Sequence, residues 1–258
     1  MTDDLLVWRG EGRHEITLNR PHRRNAIDRE LNSAIVAALR AFDADADASV
    51  AVLTGADPAF CAGMDLTDLG WAERSAGDRD DTFASALRAV RKPVIAAVNG
   101  LAYGGGFELV LAADLVVAAE HAEFALTEVT LGMVADAGGL LRLPARLPRP
   151  IAVECLLTGR RLTAAEAARW GLVNRVVPAA ELMPAARELA GAICASAPLA
   201  VAAVLEILRE TEATSMRTGY SVLRSGALPA YRAMLDSQDA REGARAFADR
   251  RKPQWQGR

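Results

Sequence analysis

Three short runs constrain the fold more than anything else in the chain. SVAVLTG (residues 49–55), PVIAAVNG (93–100) and LVVAA (115–119) are of strand length, rich in β-branched residues and apolar throughout. A strand with one face in water alternates apolar and polar residues, whereas a strand that does not alternate is covered on both faces. Helical patterns lie between the runs. Asp28 precedes Leu31, Ile35, Leu39 and Phe42 at helical spacing, and Phe83, Leu87 and Val90 form a second stripe. Strands buried on both faces and alternating with helices predict an α/β architecture with crossover connections.

Around this centre the chain adds a period-two strand, HEITLNRP, at the start. A capping box of Thr163 and Glu166 follows later, then Gly171 closing that helix and VNRVV as a strand. Beyond Pro198 the pattern is almost entirely helical: VAAVLEIL, a segment from Tyr220 to Tyr231, and a last helix from about Asp239 to Arg250. The change of character predicts a core of residues 1–195 that carries the active site and a helical region of 196–258. That region has more amphipathic surface than a closed monomer needs, so it is expected to pack on other copies of the chain. No solenoid-type repeat is visible in the sequence.

Composition excludes several functions. A net charge of −3 offers no field for nucleic acid or anionic lipid. RLPARLPRP and DRRKPQWQGR cluster arginines but lack the interleaved aromatics of an RNA-binding surface. The most apolar run is broken by Asn99, Glu108 and Asp114, which argues against a membrane span, and MTDDLL lacks the basic start of a secretory signal. Cys61, Cys155 and Cys194 have neither disulfide-framework nor zinc spacing, and His14, His22 and His121 lie far apart. No metal is expected, and a reduced cytoplasm fits best.

One stretch asks for chemistry. In AYGGGFE (102–108) three glycines run into an aromatic residue and a glutamate, between a strand and an apolar helix. Ordering three consecutive glycines is costly, so the turn must do something other residues cannot. Amides at such a strand-to-helix turn suit a developing negative charge. The dinucleotide fingerprint is absent, no P-loop lysine follows, and no serine or cysteine stands at the apex. An oxyanion hole for a carbonyl remains, beside a plainer role in which the glycines only let helix and strand pack closely. AFCAGMDL (59–66) is a second turn of the same kind, and amides from two turns could meet on one enolate oxygen.

Together AFCAGMDL, NGLAYGGGFEL, FALTEVTLGMVADAGG, TGRRLTAAEAARWGLVNRVVP and FADRRKPQWQGR resemble the enoyl-CoA hydratase/isomerase, or crotonase, family over nearly the whole chain. The resemblance implies a spiral of ββα units with a helical C-terminal region that builds trimers, often stacked as hexamers. It places the oxyanion amides on Met64 and Gly105 and the catalytic glutamates on Glu108 and Glu128. The CoA-binding backbone falls on Ala26, Ala62, Asp65 and Leu66. Retention of Glu108 favours a hydratase, because the double-bond isomerases rely on an acid at the position of Glu128. The acyl-CoA thioester supplies its own electron sink, so no redox or metal cofactor is implied. GGGFEL, GGLLRLP, LTGRR, RWGLVNRVV and the stretch from RSGAL onwards are most similar to a branch whose substrate bears a trimethylammonium group, for which Trp71 and Tyr103 are cage candidates. Asp136 has two readings: an N-cap for the GGLLRL helix, or a third acid such as the family's dienoyl-CoA isomerases use.

Overall fold

The computed structural model describes residues 4–67, 82–212 and 214–258. The chain folds as two compact units, one from Met1–Val90 with Val94–Ala190 and one from Arg91–Pro93 with Gly191–Arg258. Two sheets build the first unit. The larger runs in the order β1 (Leu5–Gly10), β2 (Arg13–Leu18), β3 (Val50–Gly55), β5 (Val94–Val98), β7 (Leu115–Ala119) and β10 (Arg175–Val177). The smaller runs β4 (Ala59–Cys61), β6 (Leu101–Tyr103), β8 (Glu123–Ala125) and β9 (Leu162–Thr163). The β1–β2 and β8–β9 pairs are antiparallel, and the others are parallel.

The chain visits the two sheets in turn. β3 leads into β4, β5 into β6 and β7 into β8, and a helical segment carries it to the next pair. This is the spiral of ββα units that the resemblance implies. The three apolar runs are β3, β5 and β7, neighbours at the centre of the larger sheet, and every residue of β3 and β5 is buried. The helix Arg29–Ala44 begins at Asp28, whose side chain accepts a hydrogen bond from the Leu31 amide, and it buries Leu31, Ile35, Leu39 and Phe42.

Two local expectations change. β2 does not alternate: His14, Glu15 and Ile16 are all buried. Polar residues are tolerated there because they are paired. His14 Nε2 meets Asp45 Oδ2 at 2.7 Å. The Glu15 carboxylate accepts two bonds of 2.8 Å from Arg187 and one of 2.9 Å from Arg13, and Arg187 foremost holds it below the usual carboxylate range. At β9, Thr163 caps the next helix by accepting from the Glu166 amide, but the Glu166 carboxylate pairs with Arg160 instead of completing the box.

The second unit holds the helices Pro198–Thr211, Met216–Arg224, Pro229–Asp236 and Gln238–Ala248. The segment expected to run from Tyr220 to Tyr231 breaks at Gly226, which has φ +72°. Glu206 supplies the cap that the third helix lacks, accepting from the amides of Ala230 and Tyr231 at 3.1 and 2.9 Å. Among the described residues no single helix is long and apolar enough to cross a membrane.

Candidate active site

The three glycines differ in what they permit. Gly104 has φ +50° and ψ −127°, a backbone that L side chains avoid, so it is where the chain leaves β6 and starts the helix Gly105–Ala112. A Cβ on Gly106 would lie 2.3 Å from the Cys61 carbonyl oxygen, so glycine lets this helix rest directly on β4. Gly105 faces the second turn: a Cβ there would lie 3.2 Å from Phe83 Cζ and 3.8 Å from the Met64 nitrogen. The second turn meets the first at this point, since a Cβ on Gly63 would come within 3.3 Å of the Gly105 nitrogen. Met64 bridges to Ile27, but the bonds of that bridge run from Ile27 to the Gly63 carbonyl and from Asp65 to the Ile27 carbonyl. The Met64 amide is thereby left out of the ladder. The Gly105 amide opens a helix and has no carbonyl one turn back. Among the described residues neither amide has a backbone acceptor.

Two carboxylates stand by the glycine turn. Glu108, in the first turn of the helix, is 4% exposed, and its Oε1 accepts a hydrogen bond of 2.9 Å from the Gly139 amide. Burial pushes it up to about 7; the charges of Glu128 and Asp136 push the same way, against the Gly139 amide and Arg142. Glu128 heads a short 3-10 turn, Glu128–Leu131. Its Oε1 lies 3.3 Å from where a Cβ on Gly104 would sit, so it stands against the glycine turn, and its Oε2 is buried without a hydrogen-bond partner. Burial raises this group too, with Asp136 adding to the effect.

Asp136 is not the cap that the sequence suggested. The helix Gly139–Arg146 starts from Gly138, with φ +122° and no side-chain cap. An N-cap must stand next to the first helical residue, and Asp136 is two places too early. It is exposed and acts on both glutamates through its charge.

The four positions assigned to CoA lie along the RRNA turn and the strip after β4. Arg24 and Asn25 are left-handed, and the buried Asn25 side chain accepts from the Arg20 amide and donates to the carbonyls of Ala56, Ala59 and Phe60. That anchor sets the neighbouring backbone. The Ala62 amide donates to the Arg24 carbonyl at 2.9 Å, and the Ala26 carbonyl accepts from Arg20 Nη1 at 2.6 Å. Asp65 is buried; its carboxylate takes the hydroxyl and amide of Thr67 and pairs with Arg20 at 3.4 Å, which holds it below the usual carboxylate range. Leu66 is exposed. Of the cage candidates, Trp71 lies outside the described residues. The Tyr103 hydroxyl donates to Glu123 at 2.6 Å and its ring already faces the Arg161 guanidinium at 5.4 Å, so a second cation there would meet repulsion.

Several contributors were not apparent from the sequence: Phe83 against Gly105, the Gly139 amide on Glu108, and Arg20 with Asn25 as the frame of the RRNA turn. Each acts on a residue distant in the chain or through backbone atoms, and neither periodicity nor motif spacing reports that.

Known proteins extend these observations. The family model described as enoyl-CoA hydratase/isomerase matches residues 9–258. A carnitinyl-CoA dehydratase of Proteus mirabilis is 51% identical over 250 residues, 95% of either chain, and one of Salmonella arizonae is 50% identical over the full length of both. Among solved structures, an enoyl-CoA hydratase of Mycobacterium tuberculosis superposes with a TM-score of 0.91 at 41% identity, covering all of both chains. One from Bacillus anthracis does so with 0.89 at 34%, over 99% of this chain and all of its own. A match from β1 to the last residue, a shared spiral and relatives half identical throughout make this chain a member of the enoyl-CoA hydratase/isomerase family.

Proposed function

We propose that this chain catalyses the reversible addition of water across the Cα–Cβ bond of a 2-enoyl-CoA thioester, with carnitinyl-CoA and crotonobetainyl-CoA as its physiological pair. Its relatives make it a hydro-lyase of the hydratase type. The narrower substrate rests on the carnitinyl-CoA dehydratases at 49–51% identity. The observation that carries the reading is the buried Glu108 and the buried Oε2 of Glu128 beside two converging turns whose Met64 and Gly105 amides have no backbone acceptors among the described residues.

The chemistry follows from that arrangement. In our reading the Met64 and Gly105 amides donate to the thioester oxygen as it becomes an enolate, which lowers the barrier to changing the charge at Cα. Like charges in a poorly solvated site resist being ionised together, so the glutamates share one proton near neutrality. In dehydration Glu128 removes the Cα proton and Glu108 protonates the departing hydroxyl as the Cβ–O bond breaks. Hydration reverses each step. Burial and neighbouring charge raise Glu108, toward the protonated form that dehydration needs. Ala26, Ala62, Asp65 and Leu66 would hold CoA through backbone groups, because the Asp65 carboxylate is already engaged. We further read the protein as a cytoplasmic homotrimer or dimer of trimers that uses no metal or redox cofactor.

A panel of enoyl-CoA thioesters tests the assignment through loss of the conjugated absorbance. Crotonobetainyl-CoA should give the highest kcat/KM; a preference for plain straight chains would return the protein to general enoyl-CoA hydration. One observation favours a second reading. Asp136 is no cap and its charge reaches both glutamates, as a third acid for double-bond migration would require. In that case the protein isomerises a 3,5-dienoyl-CoA and Asp136→Asn abolishes it, while hydration persists. Inability to turn over such a diene disposes of this reading.

A further inference from the structure

Arg142 has a position that the roles above do not use. It lies in the first turn of the helix Gly139–Arg146, where its amide donates to the Gly138 carbonyl at 2.8 Å. Its guanidinium folds back over the same turn, and Nη1 donates to the Ala137 carbonyl at 3.2 Å. A Cβ on Gly138 would sit 1.8 Å from Nη1, so the guanidinium fills the volume that a side chain at 138 would occupy. Arg142 therefore holds two successive carbonyls of the Ala137–Gly139 turn, one through its amide and one through its guanidinium. The next amide along, that of Gly139, bonds Glu108 Oε1.

We infer that Arg142 is a positioning residue of the reaction: it clamps the Ala137–Gly139 turn so that the Gly139 amide stays on Oε1 of Glu108, leaving Oε2 to exchange the proton, and it supplies the cation that balances the surrounding carboxylates. This rests on the reading of Glu108 as the proton carrier. The charged groups facing Glu108 are Glu128 from the 3-10 turn, Asp136 from the loop that follows, and Arg142 from the helix. The first two hold the proton on Glu108 and Arg142 releases it. Arg142 thus lowers the upper edge of the pH range in which the pair keeps its one productive proton, against burial and the two carboxylates. Arginine suits both tasks, because its planar fork can donate to a carbonyl while the charge stays fixed.

The test uses Arg142→Gln, which keeps an amide donor but loses the charge, and Arg142→Lys, which keeps the charge. Isotope-edited infrared titration follows the protonated carboxyl of Glu108 in the full-length protein, assigned by its loss in Glu108→Gln. The expected result is a higher midpoint in Arg142→Gln and a near wild-type one in Arg142→Lys. The alkaline limb of kcat/KM should rise with it, each unit corresponding to about tenfold in activity on that limb. Turnover at the optimum should fall in Arg142→Gln with KM little changed, and Arg142→Lys should recover most of it. If Arg142→Gln does not fold, Arg142→Met is the charge-free variant. An unmoved midpoint, even with lower turnover, overturns the inference and leaves Arg142 as packing. A moved midpoint with an unmoved kinetic limb upholds the effect of Arg142 on Glu108 and instead removes Glu108 from the proton path.

Discussion

At the scale of single residues, Glu108 and Gly106 show how far local chemistry is fixed by neighbours. Glu108 has an ordinary value of 4.5 and is pushed up to about 7 in the fold, chiefly by burial. The native state therefore binds more protons than the unfolded chain between those values, so stability falls as pH rises through that window. Glu108→Gln should remove this slope, making the variant more stable than wild type at pH 8 by up to about 3 kcal/mol and close to it at pH 4. Urea unfolding at the two pH values measures this, and parallel losses in both proteins would contradict it. Gly106→Ala acts through packing. Its Cβ would strike the Cys61 carbonyl, so the helix must lift off β4 at a cost of roughly 1–3 kcal/mol. Turnover should suffer as well, because the displaced helix carries Gly105 and Glu108; a fully active, equally stable variant would refute this account of the triplet. Glu108 and the glycines stand out in the sequence as one motif, and Glu128 enters through the family resemblance. Arg142 and the Gly139 amide were not legible there, since the amide's meaning lies in a contact with a residue 31 positions away and that of Arg142 in the turn that carries the amide.

At the scale of elements, legibility followed length and periodicity. The helix from Arg29 was complete in the sequence, cap and stripe alike. Asp28→Ala should cost about 1 kcal/mol of stability while leaving KM unchanged, as urea denaturation and steady-state kinetics would show; no loss would mean that the cap is replaced by solvent. The central strands were equally plain, because burial on both faces leaves an unbroken apolar run. The smaller sheet was harder to see. LAY, EFA and LT are two or three residues long, too short to carry a period. For the same reason the repeat was legible only through the family resemblance: successive units share a path between sheets but no sequence pattern. In β2, pairing of Glu15 with two arginines overrode the alternation that a half-buried strand would show.

At the scale of the molecule, exposed apolar surface has to be accounted for. Val129, Leu131, Met133, Val134, Leu140 and Leu141 follow or flank Glu128 and Gly139, and Leu141 is 80% exposed. Met216, Tyr220 and Phe247 are open in the helical unit. Surfaces of this kind mark contact sites. The full-length chain should sediment as a trimer or hexamer at micromolar concentration, and a monodisperse monomer would rule out the assembly proposed here. Turnover is the property toward which all three scales lead, and its test is hydration of a reactive enoyl-CoA in deuterated water by wild type, Glu108→Gln, Glu128→Gln and the double variant. Each single change should reduce turnover by on the order of 10²-fold to 10⁴-fold, because an amide keeps the shape but carries no proton. The double variant should be little worse than the worse single one, as for groups acting in one coupled step. If Glu128→Gln hydrates at the wild-type rate and still places deuterium at Cα, Glu128 is not the proton donor and the two-carboxylate account is wrong.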